Sequence, residues 1–270
     1  MSPIPLGILA ASLARITNAG PAVFLNSGST SMVYSGEEPS PVDMSTWGLQ
    51  PNDMVIVGIA IGDSTAETET MPASPDYIEL FPRISSSDTN DVSFQVSYKF
   101  MGDSPDTEVL FLGTGDSTST VSAIVLAFRN TSVLAVSTRS IVNTGQVVFN
   151  DVSDSFSFSV GNTFLAIGAS GHSDNYNTSN SGYFLPADYD TMYQDVQLTE
   201  NNYPGLVKVA GDNNSYGSSI GAWPYGNLAF SDVEVFSPNY TPPVWQLIDD
   251  YGSYSNSSAF SSASAIIVLA

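Results

Sequence analysis

Apolar and polar side chains alternate through Val92, Phe94, Val96, Tyr98 and Phe100, with Ser93, Gln95, Ser97 and Lys99 between them. A period of two sends successive side chains to opposite faces of a strand, so this stretch predicts a strand with one wet face. A second alternation runs through Val147 and Phe149 and resumes at Phe156, Phe158 and Val160, interleaved with Ser155, Ser157 and Ser159. Asp53 to Ile61, Val121 to Phe128, Thr163 to Ala169 and Ala263 to Leu269 are apolar almost without a break, as expected of strands in a buried sheet. Gly-Asp, Ser-Pro, Gly-Asn and Asp-Asn pairs punctuate these runs with turn chemistry. Only the first 18 residues leave room for a helix, over Ile8 to Thr17.

Two of the apolar strands are echoed later in the chain. Ser122-Ala-Ile-Val-Leu-Ala127 returns as Ser264-Ala-Ile-Ile-Val-Leu-Ala270, and Asn52-Asp-Met-Val-Ile-Val-Gly58 as Asn162-Thr-Phe-Leu-Ala-Ile-Gly168. Such self-similarity predicts two pseudo-repeats, about 50–130 and 160–270, the second lengthened by an insertion near 172–205. A few strands cannot cover an apolar face alone, but two such sets packed face to face can. The expected fold is all-β, a two-sheet antiparallel jelly-roll-like β-sandwich forming one domain over 21–270, preceded by a short N-terminal arm over 1–20. Since an apolar strand closes the sequence, trimming a few C-terminal residues is expected to be damaging.

Charge narrows the partners. Against 27 Asp and Glu stand 6 Lys and Arg, a net charge of −21. The resulting field repels phosphate backbones and anionic bilayers, so neither nucleic acid nor a membrane is an expected partner. Only 12% of residues are charged, and Ser, Thr, Asn and Gly supply the remaining polarity, a composition of β-strands and loops rather than of a helical enzyme. Without cysteine there is no disulfide, thiolate nucleophile or Cys-based zinc site. The opening residues are apolar but lack a basic start and carry Pro3, Pro5, Gly7 and Arg15, which disfavours a cleaved signal peptide. No run approaches the ~18 apolar residues of a membrane span.

The strand beginning Asp53-Met-Val-Ile-Val, the alternating strand ending Tyr98-Lys99-Phe100-Met-Gly-Asp and the run Ser122-Ala-Ile-Val-Leu-Ala-Phe-Arg129, with a weaker second copy, resemble β-sandwich minor structural or tail-fibre-type virion proteins of tailed bacteriophages. The resemblance covers about residues 50–270 in pattern rather than identity. It departs from the family where a Gly-Trp pair follows the first loop proline; Pro75-Asp76-Tyr77-Ile78 and Pro243-Val244-Trp245-Gln246 stand there with one aromatic each. It implies a non-enzymatic virion component, located in the virion and built into a tail, neck or fibre, a homo-oligomer contacting other virion proteins. A capsid decoration protein and a free carbohydrate-binding module are the alternatives.

Candidate contacts follow from residue type. Ile4, Leu6, Ile8 and Leu9 in the Pro-rich leader suit burial in a neighbouring subunit, which makes the leader a docking arm or else an ordinary first element of the sandwich. Tyr176, Tyr183, Tyr189, Tyr193 and Tyr203 crowd the insertion, and Trp223 and Tyr225 follow it; flat rings with a polar tip suit host-surface glycan or protein, or simply roof one end of the sandwich. The single histidine, His172, reads as an exposed residue of a Gly-His-Ser-Asp turn, and sequence neighbours do not make a triad. No pair among the acidic residues is singled out for glycoside hydrolysis. Asp88, Asp91, Asp103, Asp106, Asp188, Asp190, Asp212, Asp249 and Asp250 make loop calcium conceivable, but without the ordered spacing of a calcium loop they read as solvating carboxylates, and no cofactor is expected.

Overall fold

A computed structural model describes residues 22–33, 40–63, 76–85, 91–111, 120–142, 146–147, 163–173, 183–186, 209–210, 216–224, 245–248 and 260–269. The regular elements among these residues are all strands, with no helix among them. The first eight are β1 (Val23–Val33), β2 (Val42–Asp43), β3 (Met54–Asp63), β4 (Ile78–Glu79), β5 (Ile84–Ser85), β6 (Asp91–Phe100), β7 (Glu108–Val109) and β8 (Thr120–Arg129). The rest are β9 (Val133–Val142), β10 (Gln146–Val147), β11 (Thr163–Ser173), β12 (Tyr183–Pro186), β13 (Val209–Ala210), β14 (Tyr216–Pro224), β15 (Trp245–Ile248) and β16 (Phe260–Leu269).

Two antiparallel sheets face each other. The first runs β1-β8-β3-β6-β4, with β5 also on β6; the second runs β9-β16-β11-β14-β13. Each sheet draws on one stretch of chain, and the two stretches fill their sheets in the same order, β9 standing where β1 stands, β16 where β8, β11 where β3 and β14 where β6. Both edge strands slip by one residue near their start, β1 between Phe24 and Asn26 against β8, and β9 where the partners of Val268 and Leu269 change from Ala135 to Val133. A bulge of this kind bends an edge and strengthens its twist. Two small sheets accompany them, β2-β7 and β10-β15-β12.

The alternation along each strand sorts its side chains. Met54, Ile56 and Ala60 of β3, Phe94 and Val96 of β6, and Ile124, Leu126 and Phe128 of β8 meet Leu165, Ile167, Ile220, Ala265, Ile267 and Leu269 of the second sheet in one buried cluster. Full burial of such a side chain contributes about 1.5–3 kcal/mol. Glycine is required once here. A Cβ on Gly58 would lie 3.1 Å from Ile220 Cδ1 and 3.2 Å from Ile124 Cγ1, so the bare backbone of β3 lets Ile220 reach across from the opposite sheet.

The other face of the first sheet is buried too. Val55, Val57, Ile59 and Ile61 of β3 and Val121, Ala123, Val125 and Ala127 of β8 pack under Val42, Met44, Met101, Val109 and Phe111, with Trp47, Leu49 and Tyr77 at the margin. On the second sheet, Ile266 and Val268 turn away from the shared core yet are also buried, and β10 lies against β16 and β11. Both closing strands are therefore continuously apolar because both their faces are covered.

The five strands expected most directly are all present, β3, β6, β8, β11 and β16 containing the stretches read as Asp53 to Ile61 (less its first residue), Val92 to Phe100, Val121 to Phe128, Thr163 to Ala169 and Ala263 to Leu269. Several details differ. The outer face of β6 is not fully wet: Ser93 is buried, and Gln95, Ser97 and Lys99 are half-buried. His172 lies in β11, paired with Gly217 and Phe260, and not in a turn. Tyr77 precedes β6 while Trp245 lies between β14 and β16, so the two loop aromatics occupy different places in the strand order. β1, β9 and β14 were not foreseen. The second alternation is described only at Gln146–Val147; its other residues, the helix over Ile8 to Thr17 and the arm over 1–20 lie outside the described residues.

Candidate functional site

The densest polar constellation among the described residues gathers where β3 begins and β8 ends. Pro51 and Asn52 turn the chain into β3, Asn52 adopting φ 71°, a left-handed conformation asparagine tolerates. The turn is fixed by backbone bonds from Asn52 N–H to the Met101 carbonyl (2.8 Å) and from Met101 N–H to the Asp53 carbonyl (2.8 Å). Asp53, only 2% exposed, accepts from Gln50 N–H at 2.7 Å. Arg129, the last residue of β8, completes the arrangement as a fork: Nε donates to Oδ1 and an Nη to Oδ2 of Asp53, both at 2.8 Å, and the same Nη reaches the Gly48 carbonyl at 3.0 Å. Bidentate geometry of this kind is the strong form of a carboxylate–guanidinium pair. The Asp53 hydrogen bonds push the Arg129 pKa up from its already high ordinary value.

A second cluster lies along β6. Lys99 Nζ is 2.7 Å from Asp106 Oδ2 and 5.7 Å from the centre of the Tyr77 ring. Burial, and then the Asp106 charge, push the Tyr77 hydroxyl above its ordinary range. Within the same sheet, Arg83 donates to Ser93 Oγ through Nε (3.1 Å) and an Nη (2.6 Å), with Ser85 Oγ 3.0 Å from Ser93 Oγ. Ser93 is thereby buried with its hydroxyl satisfied.

These groups hold loops to sheet. The forked guanidinium engages both oxygens of the Asp53 carboxylate, and the Lys99 ammonium is engaged by Asp106 beside the Tyr77 ring. Lys99 and Arg129 are also the basic residues of the Tyr98-Lys99-Phe100 and Ala127-Phe128-Arg129 runs; each ties a loop to its strand end.

Of the expected contact residues, the described part of the chain places Tyr183 at the start of β12, opposite Ile248, and Trp223 in β14, opposite Ala166. They belong to different sheets. Tyr176, Tyr189, Tyr193, Tyr203 and Tyr225, and the arm residues Ile4, Leu6, Ile8 and Leu9, lie outside the described residues. Among the acidic candidates, Asp106 is engaged by Lys99, Asp103 is exposed, and Asp91 stands opposite Asp63 at the end of the β3–β6 pair. Asp88, Asp188, Asp190, Asp212, Asp249 and Asp250 lie outside the described residues, among which no group of three or more His, Asp or Glu is placed to hold a metal ion. The Asp53–Arg129 pair was not foreseen. Its signal is an aspartate at the entrance of one apolar strand and an arginine at the exit of another, two strands that the structure sets side by side.

No family model, curated protein or solved structure matches the chain.

Proposed function

We propose that the chain is a non-enzymatic structural component of a bacteriophage virion, a tail, neck or fibre protein that docks through residues 1–20 and presents loops to a host surface or to other virion proteins. The observation that carries this reading is the use made of the ionic groups: Asp53 with Arg129, and Lys99 with Asp106, fasten loops to sheet ends. This is scaffold construction, and it falls on the very residues of the Tyr-Lys-Phe and Ala-Phe-Arg runs that carry the family resemblance. The acidic, Ser- and Thr-rich composition fits a surface protein whose interfaces are apolar, since like charges oppose association elsewhere.

In the same reading the sandwich is an internally duplicated unit, and the shared strand order supports this. Drawing each sheet from one half of the chain favours duplication over jelly-roll winding, in which successive strands pass between the sheets. Ligation of calcium by loop carboxylates belongs to the proposal only as an aid to assembly.

The test is incorporation. Particles of the virus encoding the chain are labelled with antibodies to the sandwich, beside particles made with residues 1–18 deleted. Labelled wild-type particles, with loss of label in the shortened form and an unchanged circular dichroism spectrum, are expected. Unlabelled wild-type particles would overturn the reading. A soluble monomer whose glycan binding disappears in Trp223→Ala or Tyr225→Ala would instead establish a carbohydrate-binding module.

A further inference from the structure

Strand β1 is an edge of the first sheet. It pairs along its length with β8, and among the described residues no strand takes its other side. An unpaired edge is a template for another strand, and soluble proteins blunt theirs with charges, proline, strong bulges or a cover. β1, with the sequence VFLNSGSTSMV, carries neither charge nor proline, although the whole chain has a net charge of −21. The matching edge of the second sheet, β9, carries Arg139. The bulge in β1 displaces only Leu25, and residues 26–33 keep unbroken register with β8. The strand also opens apolar and accessible, Val23 being 41% exposed and Phe24 and Leu25 half-buried.

The order of residues along this edge is close to a palindrome. Antiparallel overlap with an identical strand, centred on Gly28, sets Ser27 opposite Ser29 and Asn26 opposite Thr30; the bulge takes Leu25 out of register, so Phe24 then meets Ser31 and Val23 meets Met32. The polar middle meets itself and Val23 meets another apolar residue, Met32; Phe24 with Ser31 is mixed. Closed two-fold association requires a surface complementary to itself, and cross-strand pairs of like character are what stabilise a β-ladder. A strand of a foreign protein would have no reason to match this order. We propose that β1 is the site at which a second copy of the chain binds, strand to strand across a two-fold axis, joining two first sheets into one continuous sheet. Elsewhere the acidic surface opposes contact between copies; along β1 no charge has to be brought together. The interface deepens the self-association contained in the proposed function, while docking through the N-terminal arm is a separate contact, so either can fail alone.

The experiment is the mass of the full-length chain by light scattering over a range of concentrations. A dimer is expected. Ser29→Asp and Ser29→Lys, each placing like charges near one another across the axis at an exposed position, weaken dimerisation at least about tenfold, a change of one decade in Kd. Combining Ser27→Lys with Ser29→Asp sets opposite charges across the strand pair and restores the dimer. Ser104→Lys, on an exposed loop, leaves it unchanged. A monomer at every concentration, a dimer indifferent to Ser29→Asp, or a series of growing oligomers from β1 pairing with β9 of the next copy would each overturn the proposal. Dimerisation with failed particle labelling would reject the virion reading and leave this interface standing.

Discussion

Strands β8 and β16 close the two sheets with nearly the same residues and present them differently. In β8 the shared core receives Ile124, Leu126 and Phe128, while Ala123 and Ala127 face outward beneath Val42, Trp47 and their neighbours. In β16 the core receives Ala263, Ala265, Ile267 and Leu269, and the bulky Ile266 and Val268 face outward. Ser122 pairs with Ala60 and so lies on the core side of its sheet; Ser264, between Ala263 and Ala265, lies on the outer side. The Ser264 run has one isoleucine more than the Ser122 run, and a shift of one residue in a strand exchanges its faces. Aligned on their last apolar residues, Ile124 and Leu126 correspond to Ile267 and Leu269 and all four face the core. The lesson is that the sandwich tolerates the exchange where small and large residues complement one another across the sheets: the bare backbone at Gly58 receives Ile220 from the second sheet, and β16 mixes Ala263 and Ala265 with Ile267 and Leu269 in the core.

If both faces of β16 carry apolar load, the comparison breaks most decisively at its end. Deleting residues 266–270 removes Ile266, Ile267, Val268 and Leu269, none more than 1% exposed, from a strand that joins β9 to β11. At about 1.5–3 kcal/mol for each side chain, the loss approaches or exceeds the ~5–15 kcal/mol by which a domain is stable. The shortened chain is expected to be insoluble or to lack a cooperative thermal transition. A soluble product melting within a few degrees of the full chain would show that β16 is not the central strand it is taken to be.

The strands that could be read from the sequence are those in which burial on one or both faces enforced a pattern. β3, β8 and β16 are saturated with apolar residues, and the core-facing positions of β6 alternate cleanly. β1 and β9 stand at sheet edges, and their SGSTS and STRS runs interrupt the apolar period. β14 is hidden for another reason: Gly217, Ser218, Ser219 and Gly221 carry little apolar signal around the buried Ile220. Of the site, the Asp53–Arg129 pair is illegible because it joins residues 76 positions apart, and the Lys99–Asp106 pair, only seven apart, because no periodicity marks a contact across a loop. The glycine echo was legible but misleading. Gly58 faces the core, whereas Gly168 lies between Ile167 and Ala169, both of which do, and therefore faces away.

The next largest effect tests how the first sheet is fastened. Arg129→Met leaves Asp53 buried with Gln50 N–H but without its fork, and removal of one partner from a buried pair costs about 3–5 kcal/mol. Arg129 is 30% exposed, so water moderates the loss and about 2–3 kcal/mol is expected from urea unfolding. Replacing both partners, Asp53→Leu with Arg129→Met, recovers part of that, giving a coupling energy across the cycle. Additive single effects would mean that the pair does not fasten β3 to β8.

A smaller effect addresses the fit between the sheets. Gly58→Ala presses a methyl group against Ile220 Cδ1 and Ile124 Cγ1, an overpacking expected to cost about 1–3 kcal/mol. Ile220→Val removes the Cδ1 in question, so the double variant is expected to be less destabilised than the sum of the singles. Equal rescue by a valine placed elsewhere in the second sheet would argue against direct contact between Gly58 and β14.

The smallest effect concerns the outer layer of the first sheet. Asp43, at the end of β2, is exposed, and hydrogen bonds from the Ser45 hydroxyl and then the Ser45 N–H, the latter 2.8 Å long, hold its pKa below 3.8. A depressed carboxylate pKa contributes stability that is present above the unfolded value and lost as pH falls through the folded one. Ser45→Ala removes the larger of the two causes, so the Asp43 carboxyl resonance is expected to titrate closer to 3.8, and the acid loss to begin at higher pH. The shift is local because Met44 and Val42, both buried, hold β2 in place whatever the charge on its neighbour. An unchanged titration would mean that the Ser45 hydroxyl does not hold the Asp43 carboxylate, leaving the burial of Val42 and Met44 as the anchor of the turn.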